Sequence, residues 1–172
     1  MNLQSTDFEL FGLPERFAVD RTAVDARWKE LQREAHPDRF AAQGGAAQRI
    51  ALQWSVRVNE AYGRLKDPLK RAAYLCELRG APIQADRNTA MPADFLLQQM
   101  AWREALDEAE AEADLQALAD MLETARRERL ARVGHLLDDA QDAVAASGEV
   151  RALMFIERFG HDVEDRLAQL GQ

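Results

Sequence analysis

Residues 20–68 read DRTAVDARWKELQREAHPDRFAAQGGAAQRIALQWSVRVNEAYGRLKDP, and the fold is decided inside them. Val24, Trp28, Leu31 and Ala35 recur at steps of four, three and four, a continuous apolar stripe along one side of a helix. Asp20, just before Thr22, is placed to cap the helix start. Pro37 disfavours helical geometry at His36 and offers no backbone N–H, so the helix stops there. A polar loop, Pro37 to Gly45, follows and carries Gly44-Gly45. The next helix, Ala46 to Lys66, presents Ile50, Trp54, Val58, Ala61, Tyr62 and Leu65 on one side and is closed by Asp67-Pro68. Two long amphipathic helices joined by so short a loop are expected to pack antiparallel, as a hairpin.

Upstream, a short helix over Asp7 to Leu10 ends at Gly12 and Pro14, with Ser5 or Thr6 as its cap and Phe8 and Phe11 turned inward. Downstream, a helix over Leu69 to Leu78 ends at Gly80. Residues 81–92 then carry two prolines and no apolar period, as a linker would. Beyond them lie three helical stretches, Ala93 to Ala111, Asp114 to Ala146 and Glu149 to Leu170. A weak acidic break separates the first two and Ser147-Gly148 the last two. They are expected to form a three-helix bundle with Phe95, Trp102 and Leu106 inward. No segment alternates β-branched residues between tight turns, so the class is all-α. The expected organisation is a helical-hairpin domain over 1–80, a linker over 81–92 and a three-helix domain over 93–172.

An apolar share of 47% over 172 residues is that of a folded protein. The 30 acidic and 22 basic residues leave a net charge of -8, which argues against a nucleic-acid or anionic-membrane surface as the main partner. The imbalance is uneven: Met1 to Gly80 carries 13 Lys/Arg against 11 Asp/Glu, while Ala81 to Gln172 carries 9 against 19. Opposite signs in the two halves predict two surfaces for different partners. One cysteine, Cys76, forms no internal disulfide, and the N-terminus lacks a signal-peptide pattern, so a reducing, cytoplasmic setting is expected. No apolar run approaches the roughly 20 residues that cross a bilayer. A soluble monomer is expected.

The chemistry-bearing residues cluster where the second helix gives way. Lys29 and Arg33 are four apart and His36 three further on, so they line one side of that helix opposite its apolar stripe. This basic strip ends in the polar knuckle His36-Pro37-Asp38, and its natural partner is an acidic groove, whose charge would speed and orient encounter. Pro37 restrains the backbone that offers Asp38, lowering the entropy lost on engagement. The plain alternative is that His36 caps the carboxyl end of its helix and Asp38 is an ordinary turn residue. The context resembles a J-domain: Trp28-Lys29-Glu30-Leu31 precedes the tripeptide and Arg39-Phe40 follows it. Val58-Asn59-Glu60-Ala61-Tyr62, Leu65, Asp67-Pro68 and Lys70-Arg71-Ala72 stand at the expected distance downstream. The resemblance implies that Lys29, Arg33, His36, Pro37 and Asp38 bind a DnaK-like ATPase, with Asp38 perturbing the polar network that controls ATP hydrolysis.

The second half narrows the resemblance. Asp94 to Glu108, DFLLQQMAWREALDE, is similar to the scaffold-binding helix of the HscB family of J-type co-chaperones, and Leu153-Met154-Phe155-Ile156-Glu157 to its last helix. The opening Phe8-Glu9-Leu10-Phe11-Gly12-Leu13-Pro14 resembles that family's start. On a helix, Leu96, Met100, Glu104 and Glu108 form one row with Leu97 beside it, while Phe95, Trp102 and Leu106 point elsewhere. Leu96, Leu97, Met100 and Phe155 rimmed by Glu104 and Glu108 would make a greasy centre with a charged edge. Periodicity alone leaves open whether the leucines and Met100 are instead core. The resemblance implies an IscU-type iron-sulfur scaffold bound on that face and delivered to an HscA-type chaperone. Ala101 stands where the rim would carry an acid, so the contact is expected to be less charged than is usual.

Other function classes find little footing. The only close His/carboxylate pair, His36 and Asp38, lies in an exposed loop, so no hydrolase is expected. His135 and His161 read as surface residues. One cysteine and three separated histidines make no metal site, and no Gly-rich phosphate loop points to nucleotide, so neither metal nor cofactor is expected. The rivals that remain are a J-domain co-chaperone with a different client and a helical adaptor without an ATPase partner.

Overall fold

The amphipathic stripes do form helices. In the computed structural model, which describes residues 2–171, every regular element is helical: α1 Asp7–Phe11, α2 Arg21–Ala35, α3 Gly45–Lys66, α4 Pro68–Leu78, α5 Ala93–Glu108, α6 Glu112–Gly134 and α7 Ala143–Leu170. A 3₁₀ segment, Pro37–Gln43, joins α2 to α3, and a π-helical turn, His135–Asp139, extends α6. The chain divides into two compact units, Met1–Leu75 and Cys76–Gln172. No helix among the described residues is long and apolar enough to cross a membrane.

In the first unit, Thr6 rather than Ser5 caps α1, its hydroxyl accepting from the Glu9 amide, and Gly12 ends the helix at φ 65°, where a Cβ would be strained. Phe8, Leu10 and Phe11 are buried. So is Asp7, whose carboxylate accepts from Arg64 and lies 2.8 Å from the Arg57 guanidinium, both of α3, while its amide donates to the Tyr74 hydroxyl. A buried carboxylate is tolerable only when paired in this way, and the pairing pins α1 against α3. The hairpin is antiparallel as expected. The Tyr62 hydroxyl donates to Asp25 (2.7 Å), Trp28 Nε1 to Asn59 (3.0 Å) and the Ser55 hydroxyl to Gln32 (3.0 Å), so the partners step in opposite directions along α2 and α3. Trp28 also stacks on Tyr62 at 4.6 Å.

Two expectations for the hairpin fail. Ile50 does not belong to the inner side of α3: it is 56% exposed, while its neighbour Ala51 is buried with Val58, Ala61 and Leu65. Ile50 instead borders an open apolar depression of about 490 Å³ with Leu31, Phe40 and Trp54. The segment after His36 is not an irregular loop either, because Pro37 at the first helical position starts a 3₁₀ turn.

In the second unit, residues 81–92 lie along α7, where the buried Arg151 donates to the carbonyls of Ile83 and Ala90 at 3.0 Å. Beyond them α5, α6 and α7 form the bundle, with Phe95, Trp102, Leu115, Leu118, Leu122, Val150, Ile156 and Phe159 among its buried residues. Leu106, expected inward beside Phe95 and Trp102, is only half-buried. Asp114 starts α6 by accepting from the amides of Ala111 and Glu110, and those bonds hold its carboxyl below the ordinary carboxylate range.

The expected break at Ser147-Gly148 is wrong. Both residues lie inside α7, and the chain turns earlier, after the π-helical turn, where Gln141 adopts φ 55° and Asp142 caps the Ala145 amide. Ser147 is buried and returns its hydroxyl to the Val144 carbonyl (2.6 Å). Gly148 lies against residues 90–92, with Ala90 O and Pro92 Cδ each 3.8 Å from where its Cβ would stand. Packing against that segment outweighs the weak helix propensity of the pair.

Candidate functional site

Two surfaces carry the residues singled out by their sequence pattern. The first is the end of α2. Lys29, Arg33, His36 and Asp38 are all exposed, Asp38 with 92% of its side chain in solvent, while Pro37 is half-buried. His36 does not cap the carbonyls of α2. Its Nδ1 accepts from the Asp38 amide (3.2 Å), capping the 3₁₀ turn and leaving the ring proton on Nε2 when the imidazole is neutral. The free carbonyl of Arg33 is met by Arg39, whose Nη1 donates to it at 3.2 Å. Arg39 thus ties the turn back to the helix, a role that neither periodicity nor motif spacing discloses. Gln32, Arg33, His36 and Arg39 line a shallow depression of about 510 Å³ beside the knuckle. With Pro37 fixing φ and His36 holding the next amide, the Asp38 carboxylate is offered to solvent on a turn with little freedom left. Arg27, off the strip, pairs with Glu30 at 3.1 Å.

Register on α3 supports this end of α2 from behind. Asn59 Oδ1 accepts from Trp28 Nε1 and is bonded by Gln32 as well, and Gln32 in turn takes the Ser55 hydroxyl. One turn back, Asp25 accepts from Arg21 and from Tyr62, and those two bonds lower its pKa in that order. The chain of contacts sets the rotation of α2, and hence the direction of Lys29 and Arg33.

The second surface is on α5. Leu96 (60% exposed), Leu97 (71%) and Met100 (60%) stand outward, with Glu104 and Glu108 exposed on the same side. Phe95 and Trp102 take the core side and meet edge to face at 5.6 Å. Phe155 belongs to both. It is half-buried, meets Phe95 edge to face at 5.6 Å and stacks on Phe159 at 5.8 Å. The guanidinium of Arg103 sits 5.7 Å from its ring centroid. Arg103 therefore adds one cation to an otherwise acidic rim, and an arginine within a helical stretch has no periodic signal that would single it out. An outward apolar cluster with a charged edge can bury area against a partner and fix its orientation; it holds no chemistry of its own.

Among the described residues, no group of three or more His, Cys, Asp and Glu side chains could hold a metal ion. His135 and His161 are exposed and lie 3.2 Å from Asp139 and 3.5 Å from Glu164. Cys76 is buried, and burial pushes its thiol up to about 11.

Comparison with known proteins places the whole chain among its relatives. Residues 91–164 match the family model described as the HSCB C-terminal oligomerisation domain. The co-chaperone protein HscB homolog of Burkholderia thailandensis is 48% identical over 173 residues, covering 99% of this chain and 98% of the relative. Chaperone HscB from Vibrio cholerae superposes with a TM-score of 0.79 at 34% identity, covering 96% of this chain and 99% of that one. The crystal structure of human co-chaperone protein HscB gives a TM-score of 0.87 at 25% identity, covering 96% of this chain and 84% of that one.

Proposed function

The chain belongs to the HscB family of co-chaperones, and from that premise we propose that it carries an IscU-type iron-sulfur scaffold protein to a DnaK-like ATPase of the HscA type and stimulates that ATPase. In this reading its two exposed surfaces have separate partners. Lys29 and Arg33 steer the acidic ATPase surface into register, and His36, Pro37 and Asp38 engage it. Leu96, Leu97 and Met100, with the open side of Phe155, bury against the scaffold, and Glu104 and Glu108 set its orientation. The chain's own part in ATP hydrolysis is to place a carboxylate; bond breaking belongs to the ATPase.

The observation that carries the reading is the state of Asp38. A carboxylate with 92% of its side chain in solvent contributes little to the fold, yet Pro37 and the His36 imidazole constrain the backbone that bears it. Such restraint on an exposed acid makes sense when a partner receives it, since the ordering cost is met before the encounter.

The test is the steady-state ATPase rate of the cognate DnaK-like chaperone with scaffold alone, with this chain alone and with both. The expected result is a rate with both that exceeds the separate effects. Asp38→Asn should return the rate to that of scaffold alone while changing stability by less than about 0.5 kcal/mol and leaving scaffold affinity unaltered. Stimulation indifferent to the scaffold would reassign the client; no stimulation by the unaltered chain would remove the ATPase partner.

A further inference from the structure

Helix α5 has apolar residues on two sides. Phe95, Trp102 and half-buried Leu106 face the bundle, while Leu96, Leu97 and Met100 face solvent. Hydrophobic burial therefore prefers one rotation of α5 over another only weakly, since a roll of roughly a third of a turn would exchange one apolar row for the other. Capping does not fix it either, because Pro92 at its start offers no side-chain bond. Beside the ring contacts of Phe95 and Trp102 with Phe155 and Phe159, polar contacts can choose which row is outward.

The polar contacts of α5 with α6 come from two arginines: exposed Arg132, whose Nη1 reaches Asp94 at 3.4 Å, and Arg129, which makes the rest. Arg129 of α6 is buried, with only 2% of its side chain exposed. Its Nη1 donates to Glu149 of α7 at 2.7 Å, and its Nη2 donates to Gln98 at 2.8 Å and reaches Asp94 at 3.4 Å, both on α5. Its guanidinium lies 4.6 Å from the centroid of the Phe95 ring. Asp94 and Gln98 are four apart and so lie on one side of α5, next to Phe95 and away from Leu96 and Met100. Rolling α5 would withdraw both oxygens and the ring together from a cation that has no water to replace them. Buried charges punish lost partners far more than apolar surfaces punish a swap, which is how one buried polar group can select a register.

We propose that Arg129 is a positioning residue for scaffold binding, holding α5 in the one rotation that keeps Leu96, Leu97 and Met100 outward. The proposal rests on the reading of that face as the scaffold surface, but its first test needs no scaffold. Met100→Cys places a thiol in the exposed row, and the chain's own Cys76 is buried, so the alkylation rate of the new thiol under native conditions reports the rotation of α5. Two backgrounds release the grip: Arg129→Met with Glu149→Met, which leaves no buried charge unpaired, and Asp94→Ala with Gln98→Ala, which removes the oxygens of α5 that Arg129 and Arg132 hold while leaving Arg129 paired with Glu149.

In each folded background the labelling rate should fall at least fivefold, and without the cysteine the scaffold dissociation constant should rise at least tenfold while helicity is kept. A purely structural Arg129 would instead lower the melting temperature with labelling rate and affinity unchanged, and that result would overturn the proposal. Should the first background fail to fold, the second gives the same decision. If the unaltered chain does not bind the scaffold, the functional reading falls, and slowed labelling alone still decides whether Arg129 sets the rotation.

Discussion

Truncating Leu97 and truncating Phe155 should separate binding from folding. Leu97 is 71% exposed, so Leu97→Ala takes little from the bundle; the stability change should stay under about 0.5 kcal/mol, a shift of no more than about 4 °C in melting temperature for a unit of this size. Nearly three quarters of that side chain remains to be buried by a partner. Full burial of a leucine is worth about 1.5–3 kcal/mol, so the lost methyl groups should cost about 1–2 kcal/mol of binding, or roughly 5- to 30-fold in the dissociation constant. Phe155 differs because its ring already touches Phe95, Phe159 and Arg103. Complete removal of a buried phenylalanine costs about 3–5 kcal/mol, so a half-buried one should cost about 2 kcal/mol of stability, lowering the melting temperature by about 10 °C as well as weakening binding. Titration calorimetry against the apo-scaffold gives the affinities, and circular dichroism at increasing temperature gives the stabilities. If Leu97→Ala melts as early as Phe155→Ala, the leucine row is core and the assignment of faces on α5 is wrong. If it melts normally and binds as tightly as the unaltered chain, the row is exposed but is not the scaffold surface.

Gly63 lies inside α3, where a Cβ would meet nothing within 4 Å, so Gly63→Ala should raise stability by about 0.5–1 kcal/mol, measured as a higher urea midpoint at unchanged slope. Cys76, whose thiol burial raises from an ordinary 9.0 to about 11, should be nearly inert to thiol reagents at pH 8 in the native chain and fast in denaturant. Because its folded pKa is the higher one, the neutral thiol's contribution to stability is complete below pH 9 and is lost as pH rises from there through 11. Replacement by alanine should flatten that part of the urea midpoint's dependence on pH.

The hairpin was legible because its two signals are local and agree. An apolar stripe on each side of a proline leaves one way to bury both, and Asp25 against Tyr62, Trp28 against Asn59 and Gln32 against Ser55 then fix the register. What misled was a choice between adjacent residues that spacing cannot make. Ile50 and Ala51 are both apolar, and only the close approach of α2 and the 3₁₀ turn selects the smaller one for the interior. Ser147-Gly148 reads as a break by composition, yet the glycine admits residues 90–92 alongside α7, a requirement set about 57 residues away in sequence. The true turn at Ala140–Asp142 holds neither glycine nor proline; its one available sign was Asp142 ahead of an alanine-rich run, an aspartate cap of the kind that marks α2 at Asp20.

On α5 the limit is of another kind. Two apolar rows with helical spacing on one helix are two candidate cores, and periodicity within residues 93–108 does not rank them. The ranking comes from elsewhere in the bundle: Glu149 is buried against Arg129, and Arg129 leans on Phe95, Asp94 and Gln98, so the row beside those residues must be the inner one. That leaves Leu96, Leu97 and Met100 in water, an arrangement that burial of the same helix by simple apolar matching does not favour. The outward row is thus specified by the residues that keep it out of the core as much as by the residues that form it. Scaffold affinity should accordingly respond to substitutions at Arg129 that touch no partner, as well as to those on the leucine row itself.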